Sequence, residues 1–373
     1  MTTLDFRRRS GFLNRFLTAT AALMLAGEAP GEWRGVDLSY VNELEDCGAV
    51  YRSGDAEADA YELLAEAGAN LVRLRLWVSP DWTAYSTLED VSRSMARTRA
   101  AGMKVLLDFH YSDDWAHPGK QLRPDDWPPA DDVDSLAEQL HSYTRETLMT
   151  LHASVGLPEI VAVGNEINTS VLVDEETAED APIDWPRNAV LLRAGIQGVR
   201  EVSRATGRPM EVMLHVAQPE NVPGWFDAAM AHGVSDFDLI GISYYPKWSS
   251  VPLADLGDRL DEIRTRFERR VAIVETAYPW TLEGRDAAGN ILGSDSLVPG
   301  YPATPDGQAR FLQELRDSVL RSGGEGVIYW EPAWVTSDCA TRWGEGSHWE
   351  NATLFDFDHR LLPGAEVLLA PRS

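Results

Sequence analysis

The 373-residue sequence is poor in cysteine, in basic residues and in long apolar runs. Its two cysteines, Cys47 and Cys339, lie in no CxxC motif and no Cys/His cluster of zinc-site spacing, which excludes a zinc-finger module. No run of about 18 apolar residues is present, so the sequence predicts no membrane-spanning helix. Lysine and arginine total 33 against 59 aspartate and glutamate, a net charge of −26. This balance argues strongly against a nucleic-acid partner and favours a neutral substrate over a polyanion. We expect no membrane partner either.

Residues 1–32 differ in composition from the rest of the chain. Three arginines at 7–9 precede an apolar run at 16–26, a pattern typical of a secretory signal peptide. The alternative interpretation is an amphipathic helix that caps the domain. We therefore expect residues 1–32 to be a possible signal peptide, followed by a single domain at 33–373. The expected location is extracellular or periplasmic, with a cytoplasmic location as the alternative.

The remaining chain alternates short β-rich runs with amphipathic segments. Its content of 44% hydrophobic and 25% charged residues is typical of a globular domain. The predicted strands are 33–39, 71–78, 104–110, 160–166, 211–215, 239–245, 271–275 and 326–330. Helical patterns closed by glycine follow at 56–67, 91–101, 136–154, 191–206 and 309–322. Eight alternations without a linker predict an α/β fold, a single (β/α)8 TIM barrel.

Active sites of this fold lie at the C-terminal ends of the strands. Arg73, Arg75 and Trp77 share one face of the second strand, and arginines that point into a barrel must meet acids. The other strand ends and the loops after them carry polar or aromatic side chains. These candidate site residues are Asp37, Asp108, His110, Ser112, Trp115, Asn165, Glu166, His215, Ser243, Tyr244, Trp248, Glu275, Trp330 and Trp334. Aromatic rings in a groove can stack on the C–H faces of sugars, which points to a carbohydrate.

Two glutamates suggest the chemistry. Glu166 and Glu275 end the fourth and seventh strands, so they should face each other across the barrel mouth. Cleavage of a glycosidic bond needs one acid to protonate the leaving oxygen and one carboxylate to attack the anomeric carbon. Either Arg73 or Arg75 beside Glu275 would favour its ionised form, and Tyr244 could donate a hydrogen bond to it.

The other member of the pair has a different environment. Glu166 among tryptophan and tyrosine rings would have a raised pKa, which suits a general acid/base. Asn165, directly before it, could hold the 2-hydroxyl of the sugar. We therefore predict that Glu166 is the acid/base and Glu275 the nucleophile.

Several of these segments resemble glycoside hydrolase family 53, the endo-β-1,4-galactanases, within the clan of retaining (β/α)8 glycosidases. The most specific matches are DFHYSDDW at 108–115 and YWEPAW at 329–334, with GNE at 164–166 and SYYP at 243–246. The resemblance spans about residues 33–368. It implies the same roles for Glu166 and Glu275, and a substrate of β-1,4-linked galactose as in type I arabinogalactan.

Two further features follow from this resemblance and from the barrel topology. Some bacterial members bind calcium in the loop after strand seven, where Asp286 and Asn290 match but Gly284 replaces an expected aspartate. An ordinary Asp/Gly/Asn-rich turn is the alternative. Cys47 follows strand one and Cys339 follows strand eight, which are neighbours in a closed barrel, so a disulfide between them is geometrically reasonable; two unrelated thiols are the alternative, and the sequence leaves the choice open. Such a bridge fits an exported protein.

Three other functions compete with this prediction. Related barrels cut mannan or glucan with the same two glutamates, so the sugar is open. A barrel that binds glycans without cutting them usually loses one catalytic carboxylate, whereas both are present here. A metal-dependent barrel hydrolase uses an HxH near strand one, which this sequence lacks. We expect no required cofactor beyond a structural calcium, and a monomer.

Overall fold

The computed structural model describes residues 31–177 and 181–371. Its centre is a closed barrel of eight parallel strands, each hydrogen-bonded to the next in chain order, with the first also paired to the last. The strands are β1 (Trp33–Asp37), β2 (Leu71–Leu76), β3 (Lys104–Phe109), β4 (Ile160–Val163), β5 (Glu211–Ala217), β6 (Leu239–Ser243), β7 (Arg270–Glu275) and β8 (Gly326–Tyr329). The predicted (β/α)8 barrel and its eight strands are confirmed, with shifts of up to three residues at the strand ends.

Helices pack around the barrel. They are α1 (Val41–Asp46), α2 (Ala60–Glu66), α3 (Leu88–Ala100), α4 (Val133–Ser154), α5 (Trp185–Thr206), α6 (Val222–Ala231), α7 (Leu253–Phe267), α8 (Pro305–Arg321) and α9 (Pro363–Leu369). The prediction of one helix over 56–67 is wrong at its start, because Ala56–Ala58 pairs with Tyr51–Ser53 in a hairpin. The helix begins only after Asp59, whose side chain accepts the backbone N–H groups of Tyr61 and Glu62.

The barrel interior has two layers of different chemistry. The lower layer, towards the strand starts, is apolar and consists of Trp33, Leu71, Leu106, Ile160, Ala162, Met213, Leu239, Ala272, Val274 and Ile328. The upper layer, towards the strand ends, is polar and consists of Asp37, Arg73, Asp108, Asn165, Glu166, His215, Ser243 and Glu275. Side chains on one face of a strand recur every second residue, so Leu71 and Arg73 both point inward. The lower layer closes the barrel beneath the site.

The loops after β1 and β8 are covalently joined. Cys47, at the end of α1, forms a disulfide with Cys339, which settles a pairing that the sequence left open against the alternative of two unrelated thiols. The proposed signal segment lies, except for its last two residues, outside the described residues. Within the described ranges, no helix has the length and apolarity needed to cross a bilayer.

Candidate active site

A buried arginine lies at the centre of the upper layer. One terminal nitrogen of Arg73 donates to Asp37 at 2.9 Å and to Glu275 at 3.0 Å. The other donates to Asp108 at 2.7 Å and to the Asn165 side-chain oxygen at 2.6 Å. The prediction that inward arginines meet acids is therefore confirmed at this position. Four strands are linked through one guanidinium, which fixes the orientation of Glu275.

Glu166 follows β4 and ends a chain of hydrogen bonds. The Ser243 hydroxyl donates to its Oε1 at 2.5 Å, and His215 Nε2 lies 2.8 Å from the same hydroxyl. His215 Nδ1 accepts the backbone N–H of Glu166 at 3.4 Å, so the neutral ring carries its hydrogen on Nε2 and donates to Ser243. Burial and the nearby Arg73 lower the pKa of His215 to about 3, which keeps the ring neutral.

Glu275 is held by two donors. Arg73 bonds to Oε2, and the Tyr245 hydroxyl donates to Oε1 at 3.0 Å. The sequence hypothesis assigned that contact to Tyr244, which is wrong, because the Tyr244 hydroxyl donates to the Val251 carbonyl instead. Ser243 points into the barrel. Because side chains along an extended segment alternate in direction, Tyr245, two positions later, also points inward. The two-residue spacing from Ser243 was the signal that could have identified Tyr245.

The two glutamates are close enough to act together. One oxygen of Glu166 and one of Glu275 lie within 4.8 Å of each other. Retaining glycosidases hold their carboxyl groups about 5–5.5 Å apart, whereas inverting enzymes leave about 6.5–9.5 Å. This upper limit on one pair of oxygens is nearer to the short separation of retaining enzymes than to the wide separation of inverting enzymes.

The protonation of this pair follows from its surroundings. Burial raises the pKa of both carboxyl groups, and Glu166 raises that of Glu275 further. Arg73 lowers the pKa of Glu275 as expected, but burial outweighs it. The raised pKa values favour a pair that shares one proton. Arg73 and Tyr245 both donate to Glu275, whereas Ser243 alone donates to Glu166, so the hydrogen bonds favour the negative charge on Glu275 and the proton on Glu166.

The second inward arginine, Arg75, does not pair with Glu275, which the sequence analysis considered as its partner. Arg75 donates to Glu331 at 3.3 Å and to the Ser86 hydroxyl at 3.1 Å, and so does not contact Glu275. Glu331, fully buried just after β8, was missed as a site residue. The signal for it was charge balance, since a second buried arginine requires a second acid.

A cleft of about 860 Å³ opens above the two glutamates. Of the predicted aromatic residues, Trp115, Trp248, Trp330 and Trp334 line it, together with Asn165. Sequence reasoning did not select Tyr40, Tyr245, Trp343 and Trp349, which also line it. Aromatic rings on a cleft of this size suit several sugar rings of a neutral glycan.

Two predicted site residues, His110 and Ser112, stabilise a loop beside the cleft. His110 Nδ1 accepts the Ala116 backbone N–H at 3.1 Å, and its Nε2 lies 3.4 Å from Asp108. Asn165 donates to the Ala116 carbonyl at 2.8 Å. The loop after β3 is therefore held through both the backbone N–H and the carbonyl of Ala116. The Ser112 hydroxyl accepts the Asp114 backbone N–H at 3.4 Å. His110 and Ser112 therefore shape this loop and are not among the residues that line the cleft.

Among the described residues, one group of side chains is close enough to hold a metal ion. It consists of Glu166, His215 and Glu275. Both ring nitrogens of His215 already have hydrogen-bond partners, and both oxygens of Glu275 accept from Arg73 and Tyr245. This geometry suits an acid/base pair better than a metal centre.

The oxygens proposed for calcium face backbone amides. Asp286 Oδ1 accepts from Ala288 at 2.9 Å, and Oδ2 accepts from Ser347 at 2.6 Å. The Asn290 side-chain oxygen lies 3.4 Å from the Asn351 N–H. Calcium requires six to eight oxygens around one point. These residues do not fit that arrangement, and no step below uses a metal.

Comparison with known proteins agrees with this geometry. Residues 33–368 match the model of glycosyl hydrolase family 53. The chain is 49% identical over 348 residues to an arabinogalactan endo-β-1,4-galactanase of Cellvibrio japonicus, covering 92% of this chain and 93% of that protein. The family 53 catalytic domain of Ignisphaera aggregans superposes with a TM-score of 0.83 at 31% identity, covering 93% of this chain and 98% of the other. A structure from a study of two fungal β-1,4-galactanases gives 0.77 at 30% identity, covering 91% and 99%. The chain therefore belongs to glycosyl hydrolase family 53.

Proposed function

We propose that this glycoside hydrolase cleaves internal β-1,4-galactosidic bonds of galactan by double displacement with retention. The observation that carries the proposal is the pair of glutamates within 4.8 Å, one held by Arg73 and Tyr245 and the other by Ser243. The names of the relatives, which are β-1,4-galactanases, support the choice of sugar.

In the first step Glu275 attacks and Glu166 donates its proton. The Glu275 carboxylate forms a bond to the anomeric carbon while the bond to the leaving oxygen breaks. Glu166 transfers its proton to that oxygen and becomes anionic. The Ser243 hydroxyl then stabilises the new charge on Oε1 at no cost in reorientation, because it already donates there.

In the second step water releases the sugar. Glu166 removes a proton from water, whose oxygen attacks the anomeric carbon and displaces Glu275. Arg73 and Tyr245 stabilise the departing carboxylate at its two oxygens. The activity should fall at high pH as Glu166 loses its proton, and at low pH as Glu275 gains one.

The cleft supports an internal mode of attack on a neutral polymer. It is open and lined by aromatic rings, so a chain can extend beyond the bond being cut. A net charge of −26 disfavours acidic polysaccharides at this surface. We propose a monomer that acts outside the cytoplasm, which the Cys47–Cys339 disulfide supports.

The test is reducing-sugar release from linear β-1,4-galactan, β-1,4-mannan, carboxymethylcellulose and β-1,3-galactan. We expect release from β-1,4-galactan alone, with the β-anomer as the first product by NMR. Glu166→Gln should reduce kcat about 10²–10⁴-fold, and Glu275→Gln by at least as much. Glu66→Gln, an exposed change on α2, is the matched control. Release from mannan or cellulose instead would overturn the substrate, and a first α-anomer would overturn retention.

A further inference from the structure

A second buried ion pair lies beside the catalytic network and has no part in the two steps above. Arg75 and Glu331 have exposed fractions of 3% and 0%. Their side chains are 3.3 Å apart, and Arg75 also donates to Ser86. A buried ion pair is weak evidence for stability, because desolvation of both charges opposes their attraction. The pair therefore calls for an explanation other than stability.

The first clue is what surrounds the arginine. Its guanidinium carbon lies 4.1 Å from the ring centre of Trp115, 4.6 Å from that of Trp77 and 4.7 Å from that of Tyr40. Cation–π contacts of this length attract and orient the rings, most strongly when water is excluded. Trp115 and Tyr40 line the cleft, whereas Trp77 lies behind them. One side chain thus organises two rings of the cleft wall.

The second clue is the backbone at Glu331. Its φ is +46°, the same left-handed value as at Glu166, and neither residue is glycine. Such a conformation persists only where the surroundings impose it, and it clusters at functional sites. Here it lets the Glu331 carboxylate accept the backbone N–H of Tyr40 at 3.3 Å as well as the Arg75 guanidinium. Tyr40 is therefore held through both its backbone and its ring.

The third clue is at Tyr40 itself. Its ring stacks on Trp334, with 4.1 Å between centres. Its hydroxyl is buried and has no hydrogen-bond partner among the residues that the structure describes. An unsatisfied buried hydroxyl is unfavourable, so the contacts of the Tyr40 ring and backbone, and not its hydroxyl, hold the residue in this position.

We propose that Arg75 and Glu331 are positioning residues that hold Tyr40 and Trp115 as a platform for sugar rings beyond the bond being cut. The proposal rests on the proposed function, since it assigns the platform to a long neutral glycan. The pair acts through the rings and touches neither Glu166 nor Glu275. Its loss should therefore weaken the binding of long substrates and leave proton transfer unchanged.

The test compares long and short substrates in four variants. Arg75→Met removes the positive charge and the guanidinium hydrogen-bond donors but keeps a long unbranched side chain. Glu331→Gln removes the negative charge of its partner. Arg75→Lys retains a cation and should therefore show a smaller rise in KM than Arg75→Met. Arg316→Met is the matched control, because Arg316 is equally buried and pairs with Glu32 away from the cleft.

For galactan, Arg75→Met should raise KM about tenfold while kcat stays within about threefold. An aryl galactobioside, which fills few sugar positions, should show almost no change, and the pH profile should keep its shape. Arg316→Met should lower the unfolding midpoint without changing KM. Should Arg75→Met fail to fold, Glu331→Gln and Arg75→Lys provide the same comparison.

Two results would overturn the proposal. One is an equal loss on long and short substrates, and the other is a fall in kcat with KM unchanged. Failure of the proposed function is distinguishable, because the wild-type protein itself would then release no sugar from galactan. In that case calorimetric binding of galacto-oligosaccharides to wild type and Glu331→Gln would still test the platform, and equal affinities would refute it.

Discussion

The two layers of the barrel interior differ sharply although they share the same strands. Leu71 and Arg73 are two positions apart on β2, and Leu106 and Asp108 are two positions apart on β3. The first of each pair belongs to the apolar lower layer and the second to the polar upper layer. All four side chains are at least 97% buried, so exposure to water does not explain the difference.

This contrast separates the residues that stabilise the barrel from those that perform the chemistry. Apolar side chains in the lower layer gain free energy from burial at about 25 cal/mol per Å². In the upper layer, the desolvation of charges opposes folding, and the pairing around Arg73, with the hydrogen bonds from Ser243 and Tyr245, compensates it in part. The upper layer therefore contributes less to stability than an apolar layer would, but its arrangement can bind and transfer protons.

Removal of Arg73 should have the largest effect, because it should reduce both the stability of the fold and the activity. Arg73→Met leaves Asp37, Asp108 and Glu275 buried without their common cation. We expect a loss of about 3–5 kcal/mol in unfolding free energy. The kcat on galactan should fall about 100- to 1,000-fold, since Glu275, the proposed nucleophile, loses its orienting donor. Urea unfolding and initial rates measure the two effects, and an unchanged kcat would contradict the central role of Arg73.

A change in the lower layer should affect stability alone. Leu106→Ala removes a fully buried side chain and should cost about 2–5 kcal/mol in unfolding free energy. The kcat/KM of the folded fraction should stay within about twofold of wild type. A large fall in kcat/KM at a temperature where the variant is folded would show that the layers are coupled rather than separate.

The upper layer should also make the fold sensitive to acid. Burial lowers the pKa of His215 to about 3 and lowers that of His110, whereas unfolded histidine titrates near about 6.5. Between these values the unfolded state binds protons at the two histidines that the native state does not, so their contribution to stability should fall as the pH drops below about 6.5, opposite in sign to that of the Glu166–Glu275 pair, whose raised pKa values favour the native state on acidification. His215→Gln should flatten this dependence of the melting temperature, and the exposed His152→Gln should not. Equal slopes in both variants would contradict this explanation.

The smallest effect is expected from chelation. The two carboxylate oxygens of Asp286 accept hydrogen bonds from the backbone amides of Ala288 and Ser347, so we expect the loop to keep its conformation without a metal ion. EDTA should therefore change the melting temperature by less than ~1 °C, since no ligand of the native state is removed. A fall that added calcium reverses would restore the calcium prediction made from the sequence.

Much of the site was predictable because strand periodicity is a local property. Arg73 points inward as its spacing from Arg75 and Trp77 predicts, and Glu166 and Glu275 face each other as their strand numbers predict. The errors arose where the strands end. Tyr244 was chosen over Tyr245 although Ser243 sets the inward face, and the β6–β7 register is irregular at this position, so Ser243 pairs with Glu275.

The sequence by itself determined the barrel, its closure and the identity of the two glutamates. Periodicity, helix ends and short motifs are written along the chain, and each can be interpreted without knowledge of distant residues. Only the tertiary structure decided the gap between the two carboxyl groups, the choice of Arg73 over Arg75 as partner of Glu275, and the link from Glu331 to Tyr40. Those features join residues as far as 291 positions apart. Their geometry depends on how the whole barrel closes, because the packing of all eight strands sets each distance at its mouth.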